Sequence, residues 1–170
     1  CHTNIQAELD NMDKNWKDIK MIIITHAHGD HINNLPQVKE LTGSEVICGD
    51  GDEENLEERT GVPANYWLDT GDTLGACEGI VFIKVPGHSD GNLSLYLPKY
   101  KAIIAGDTIF GDSDGNLEAP PEKYCKDVEA AAKNLKILAE YDFDALLLSH
   151  GKNTLSGAKE KVLKLIESCA

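Results

Sequence analysis

The sequence has only one arginine, Arg59, and no basic cluster. Its 29 acidic residues outnumber its 16 basic residues, giving a formal net charge of −13 at pH 7. A surface of this sign repels the phosphate backbone of a nucleic acid. The sequence also has no long apolar run, because the longest ones, 21–24 and 145–148, are strand-sized rather than membrane-sized. Neither a nucleic acid nor a membrane is therefore an expected partner.

A cysteine framework is also missing. The five cysteines (Cys1, Cys48, Cys77, Cys125 and Cys169) are dispersed and include no C-x-x-C pair. An odd, scattered set does not predict a disulfide framework and favours a reducing compartment, so we expect a cytoplasmic protein. A length of 170 residues fits one domain, 1–170, with a core of its own.

The apolar pattern alternates between strands and helices. Strands are predicted over 19–24, 45–48, 80–85, 93–97, 102–105 and 145–148. Helices are predicted over 32–41 and 126–141, in a first segment with Ile5, Leu9, Met12 and Trp16 on one face, and after a Ser156 cap. The acidic run 50–58 is typical of a solvated helix face or loop, and 111–121 of a loop. Mixed strands and helices predict a layered α/β domain.

The most informative segment is His-Ala-His-Gly-Asp-His, residues 26–31, directly behind the first predicted strand. Imidazole nitrogens and carboxylate oxygens are ligands that zinc, iron and manganese accept. Four such side chains in one short turn cannot all reach a single tetrahedral ion without strain. We therefore expect His26 and His28 to converge on one ion while Asp30 and His31 point to a neighbouring one.

Three further candidate ligands follow other predicted strands. His88 comes after Pro86-Gly87, Asp107 after Gly106, and His150 after Leu148-Ser149. Each alone is more often an ordinary loop residue. Because loops at the carboxyl ends of strands share one rim of an α/β sheet, their common placement predicts a single site.

Four motifs in order resemble those of the metallo-β-lactamase superfamily: Thr25 to His31, Pro86-Gly-His-Ser-Asp-Gly91, Gly106-Asp-Thr108, and Ser149-His-Gly151. The resemblance implies an αββα sandwich. The aspartate at position 107 is more similar to the glyoxalase II and lactonase branches than to the true β-lactamases.

The resemblance also implies a ligand set and a reaction. According to this resemblance, one metal is held by His26, His28 and His88 and the other by Asp30, His31 and His150, while Asp107 bridges the two metals. Two divalent ions per chain are expected, zinc first, with iron or manganese as alternatives. A bridging hydroxide would attack the carbonyl of a small ester, thioester or lactone, with Asp30 as a catalytic residue that orients the hydroxide or passes a proton to the leaving group.

Two departures from the family pattern keep alternatives open. The sequence begins almost at the helix before the first motif, which predicts an N-terminally short fold with an incomplete first sheet, completed by a homodimer or a companion segment. Gly111-Asp-Ser-Asp114 stands where glyoxalase II carries Gly-Cys-Gly-Arg, so a glutathione thioester is not the favoured substrate. The alternatives are an iron-dependent oxidoreductase of persulfide dioxygenase type and a non-catalytic metal-binding domain that needs a partner.

Overall fold

The structure is a computed structural model that describes residues 2–169, apart from the side chain of residue 2. Within this range it contains six α-helices: α1 (His2–Asn11), α2 (Gly29–Ile32), α3 (Leu35–Thr42), α4 (Glu53–Thr60), α5 (Val128–Asn134) and α6 (Ala158–Ser168). The strands are β1 (Met21–Ile23), β2 (Glu45–Gly49), β3 (Tyr66–Leu68), β4 (Thr73–Leu74), β5 (Ile80–Lys84), β6 (Leu93–Leu97), β7 (Ala102–Ile104), β8 (Phe110–Gly111), β9 (Leu117–Glu118) and β10 (Ala145–Leu147).

The strands form two main sheets and a small hairpin. The first sheet has the order β1-β2-β3, and all three strands are parallel. The second has the order β10-β7-β6-β5-β4. In it β10 is parallel to β7, while β6 is antiparallel to both of its neighbours. Strands β5, β7 and β10 therefore run in the same direction, and their carboxyl ends meet at one edge. The hairpin pairs β8 with β9.

The two main sheets pack face to face, and each is covered on its outer face by helical segments, which gives a four-layer sandwich. Along β2, Val46 and Cys48 pack toward the helices, with Leu35 and Leu56, whereas Ile47 packs between the sheets. In the second sheet Phe82 faces the first sheet. The next residue of that strand, Ile83, faces the opposite layer, which consists of α6 and of the segment between β9 and β10. Because successive side chains of a strand point to opposite faces, each sheet is covered on both sides. The predicted α/β sandwich is confirmed.

Several local predictions need correction. The first helix is shorter than predicted, because α1 ends at Asn11. Met12 is 58% exposed, so the predicted apolar face does not continue to Trp16. Ser156 does not cap the last helix, because Gly157 occupies the cap position. The helix predicted over 126–141 consists of α5, capped by Asp127, followed by a 3-10 segment, Leu135–Glu140. Residues 111–121 include β9 rather than only loop.

No helix in the described part of the chain combines the length and apolar character that a bilayer span requires.

Candidate metal centre

The histidine-rich segment leaves β1 and turns into α2 at the carboxyl edge of the first sheet. Ile24 still bonds to the sheet through its amide, which donates to Ile47 O at 2.8 Å. His28 then occupies the cap position of α2. The change from strand to helix between His26 and Asp30 sends their side chains in different directions. One short segment therefore supplies ligands to two places.

Three imidazoles converge at the first of these places. His28 Nδ1 lies 2.9 Å from His88 Nε2, and His88 Nε2 lies 3.2 Å from His26 Nε2. His26 and His88 are buried, whereas His28 is partly exposed. The three nitrogens thus face a common point, which we call the first donor group.

A second group lies beside it and is more exposed. His150 Nε2 is 3.2 Å from Asp30 Oδ2, and His31 Nε2 is 3.5 Å from the same oxygen. The side chain of His150 is 42% exposed and that of Asp30 is 59% exposed, against 15% for His31. This second donor group therefore opens toward solvent.

Asp107 stands between the two groups. Its Oδ2 lies 3.4 Å from His88 Nε2 and 3.5 Å from His150 Nε2. Its Oδ1 lies 3.2 Å from His31 Nε2. All seven residues that the sequence singled out, His26, His28, Asp30, His31, His88, Asp107 and His150, thus lie together.

Burial lowers the pKa of all three imidazoles of the first donor group. Burial, followed by the charges of the neighbouring histidines, lowers the pKa of His26 from 6.5 to about 2. Burial is also the main cause that lowers the pKa of His88 to about 4. Burial and then Arg59 lower the pKa of His28. A neutral imidazole has a free lone pair, which is the form that binds a metal.

The donor set fits divalent metal ions. Ligand nitrogens at ~2.0–2.1 Å from a tetrahedral zinc lie about 3.3 Å from each other, close to the separations in the first donor group. The buried Oδ1 of Asp107 has no hydrogen-bond partner of good geometry among the described residues. A buried carboxylate oxygen without a partner is costly, and a cation at this position would satisfy it.

Buried polar side chains hold the loop that follows β7. Asn92 Nδ2 donates to Thr108 Oγ1 at 2.8 Å and to Val85 O at 3.0 Å. Ser94 Oγ lies 2.9 Å from Thr108 Oγ1. Thr108 directly follows Asp107, so this network fixes the backbone from which the central carboxylate projects.

A cavity of about 1060 Å³ opens in front of the two donor groups. Phe110 and Tyr124 supply aromatic surface, and Arg59 and Lys123 supply positive charge. The cavity is thus large enough to admit a small molecule, and five of the seven clustered residues line it.

Sequence reasoning missed two neighbours of the cluster. Asp52 belongs to the acidic run that was predicted to be solvated, yet it is only 2% exposed. In the sequence Cys125 is one of five dispersed thiols, yet its Sγ lies 4.0 Å from His88 Nδ1 and it lines the cavity. Neither residue stands in a motif, so the sequence offered no local signal for either.

Comparison with known sequences gives one family. The family model described as the metallo-beta-lactamase superfamily matches residues 1–150. The hydroxyacylglutathione hydrolase of Cereibacter sphaeroides is 27% identical over 168 residues, which cover 88% of this chain and 63% of that protein. The chain thus spans less than two thirds of the length of this relative.

Comparison with solved structures supports the same fold. A metallo-beta-lactamase family protein of Thermus thermophilus superposes with a TM-score of 0.74 at 18% identity, covering 98% of this chain and 66% of that one. A metallo-beta-lactamase of Pontibacter korlensis superposes with a TM-score of 0.75 at 17% identity, covering 98% and 76%. At such identities the likeness establishes the architecture, not the reaction.

Proposed function

The chain belongs to the metallo-beta-lactamase superfamily, and on that premise we propose that it is a hydrolase that uses two divalent metal ions to cleave an ester, thioester or lactone of a small molecule. The observation that carries the proposal is the position of Asp107 between two donor groups that face the same cavity. A single structural ion would not require the second, exposed group beside the first.

The ligands divide between two ions. The first donor group, His26, His28 and His88, would hold one ion, and the second donor group, Asp30, His31 and His150, the other. Asp107, which lies between the two groups, would serve both ions. We infer zinc as the first choice of metal because the set is rich in nitrogen, with iron and manganese as alternatives. When bound, two such ions activate water and polarise a substrate carbonyl.

Asp30 has a further task in the reaction. Its carboxylate lines the cavity and lies at the exposed side of the cluster. From there it can accept a proton from the attacking water and return it to the leaving oxygen or sulfur. The aromatic walls formed by Phe110 and Tyr124 would exclude water from one side of the acyl group.

The relatives direct the choice of substrates. A hydroxyacyl thioester of glutathione belongs on the panel, because a curated relative carries the name hydroxyacylglutathione hydrolase. The sequence itself does not favour this thioester, since Gly111 to Asp114 replace the expected Gly-Cys-Gly-Arg. Aliphatic lactones and chromogenic esters therefore complete the panel.

The test compares the parent protein as purified, after chelation, and after reloading with zinc, iron or manganese. We expect turnover of at least one carbonyl substrate, its loss on chelation and its return on reloading. His88→Ala should abolish it, whereas His2→Ala, at the one histidine outside the four motifs, should not. Two bound ions with no turnover on the whole panel would contradict the proposal and favour a metal-binding domain. Oxygen consumption with a persulfide by the iron form would instead favour the oxidoreductase.

Three further points stay predictions. We expect the partner to be a small-molecule substrate rather than a nucleic acid or a membrane, and we expect the protein to be cytoplasmic. We also expect a homodimer or a companion segment to complete the first sheet. Gel filtration with light scattering tests the last of these directly.

A further inference from the structure

A buried carboxylate joins the two loops that supply the first donor group. Asp52 lies between β2 and α4 and is 2% exposed. Its Oδ2 accepts hydrogen bonds from Ala27 N at 2.9 Å and from Ser89 Oγ at 2.7 Å. Its Oδ1 accepts one from Gly91 N at 3.0 Å. Both carboxylate oxygens are therefore used.

The donors to this carboxylate are neighbours of metal ligands in the chain. Ala27 stands between His26 and His28, and Ser89 directly follows His88. His28 and His88 are 60 residues apart in sequence, and their loops come from different sheets of the sandwich. Asp52 is thus a direct bridge between the backbones that carry the three converging imidazoles.

The surrounding backbone is packed closely around this bridge. A Cβ on Gly49 would lie 1.9 Å from Gly91 O, and a Cβ on Gly91 would lie 2.7 Å from Asp52 N. Glycine is therefore required at both positions. The backbone that leads from β2 to Asp52 therefore lies directly against the loop after His88, with no room for a side chain at either glycine.

A buried charge needs compensation, and here no basic side chain provides it. Within the described residues, Asp52 has no Lys, Arg or His partner at ion-pair distance. Its charge is instead met by two backbone amides and one hydroxyl. Hydrogen bonds to an ionised acceptor are stronger than neutral ones, so this arrangement fixes the loops more firmly than a neutral side chain would.

We propose that Asp52 is a positioning residue that holds the His26–His28 turn and the His88 loop at the separation that the first metal ion requires. The inference rests on the proposed dinuclear site, but its main readout is metal binding rather than turnover. Asp52 lies in the wall of the cavity but is almost completely buried, and in this scheme it is not a metal ligand and acts through the backbone of the ligands.

The test compares Asp52→Asn with Asp50→Asn in the full chain. The amide that Asp52→Asn introduces keeps the shape of the side chain but turns one acceptor into a donor, which then faces an N–H or a hydroxyl. Asp50 follows the same strand but pairs with Lys84 at the surface at 3.0 Å, so Asp50→Asn is the matched control. We expect Asp52→Asn to weaken one of the two zinc sites by about 10- to 100-fold in calorimetric titration, and Asp50→Asn to change neither.

A spectroscopic readout separates positioning from simple folding. With cobalt in place of zinc, the visible spectrum of Asp52→Asn should change in shape, because the ligand geometry has changed. Ser89→Ala removes one of the three bonds and should give a smaller change in the same direction, which keeps the test usable if Asp52→Asn does not fold. Unaltered affinities and an unaltered cobalt spectrum in the folded variants would overturn the inference. If the parent binds two ions but hydrolyses nothing, the proposed function fails while this inference is still tested by the metal readouts.

Discussion

The ring of Phe110 lies flat against the ring of His150, with centroids 5.0 Å apart and planes 7° from parallel. His150 is the ligand at the open side of the cluster, with 42% of its side chain exposed. A half-exposed imidazole has rotational freedom that a metal ligand must lose on binding. The stacked phenyl ring removes part of this freedom in advance.

Phe110→Ala should therefore weaken the second metal site selectively. An aromatic pair contributes about 0.5–1.5 kcal/mol beyond area burial, which corresponds to about 2- to 10-fold in affinity. Phe110→Tyr, which keeps the stack, serves as the control. Calorimetric titration with zinc measures both variants, and an equal loss in both would show that the stack has no such role.

Replacing Asp107 should affect both ions at once. Asp107→Asn keeps the shape but removes the charge and one acceptor oxygen from the middle of the cluster. Changes to residues behind the ligands already cost about 10- to 100-fold in metal affinity. For Asp107→Asn we therefore expect a loss of at least about 100-fold in affinity at both sites. Elemental analysis after dialysis checks this, with Asp112→Asn in an exposed loop as the control. Retention of two ions by Asp107→Asn would remove Asp107 from the ligand set.

Metal removal should lower the thermal stability of the protein. Binding to the folded state alone adds about 4 kcal/mol per site when free metal is 1,000 times Kd. For a domain of this size, each kcal/mol changes the midpoint of thermal unfolding by about 2–4 °C. We therefore expect this midpoint to fall by about 8–16 °C when one site loses its metal. Calorimetry with and without chelator, followed by zinc, measures it. An unchanged midpoint would contradict metal binding to the native state.

The glycine before His88 is a second point where the fold supports the site. Gly87 has a φ of +134°, and a Cβ there would lie 2.2 Å from Ala131 N in α5. Gly43 also has a positive φ, +73°, but nothing lies within 4 Å of its added Cβ. Alanine would strain the backbone at both positions, but only at position 87 would its Cβ also clash with α5.

Gly87→Ala should accordingly destabilise the protein by about 1–3 kcal/mol more than Gly43→Ala, which is the cost of overpacking a filled region. It should also weaken the first metal site, because His88 moves with the loop. Urea unfolding of both metal-free variants gives the stability difference. Equal stabilities would show that α5 shifts without cost.

The fold and the seven clustered residues follow from the sequence for a physical reason. Strands with continuous apolar runs must be buried, and ligand-type residues that follow them, such as His88, Asp107 and His150, must then share an edge. The sheet provides this edge because β5, β7 and β10 run in the same direction. The strand pattern does not by itself divide the ligands into two groups; that division was implied by the resemblance to the metallo-β-lactamase superfamily.

The parts that sequence reasoning missed depend on packing across the sandwich. Asp52 stands among Asp50, Glu53 and Glu54, and no local pattern separates a buried carboxylate from its exposed neighbours. Its burial arises because the loop after His88, distant in sequence, covers it. Likewise Met12 continues the helical period of α1, but Asp13 adopts a φ of +53° and the helix has already ended.

The number of metal ions that the purified protein binds is the direct test of the proposed dinuclear site. Elemental analysis of the parent, prepared without added metal and again after soaking in zinc, should be run beside His88→Ala and His2→Ala. We expect about two ions per chain in the parent and in His2→Ala, and fewer in His88→Ala. Binding of no metal by the parent, even after soaking, would contradict it.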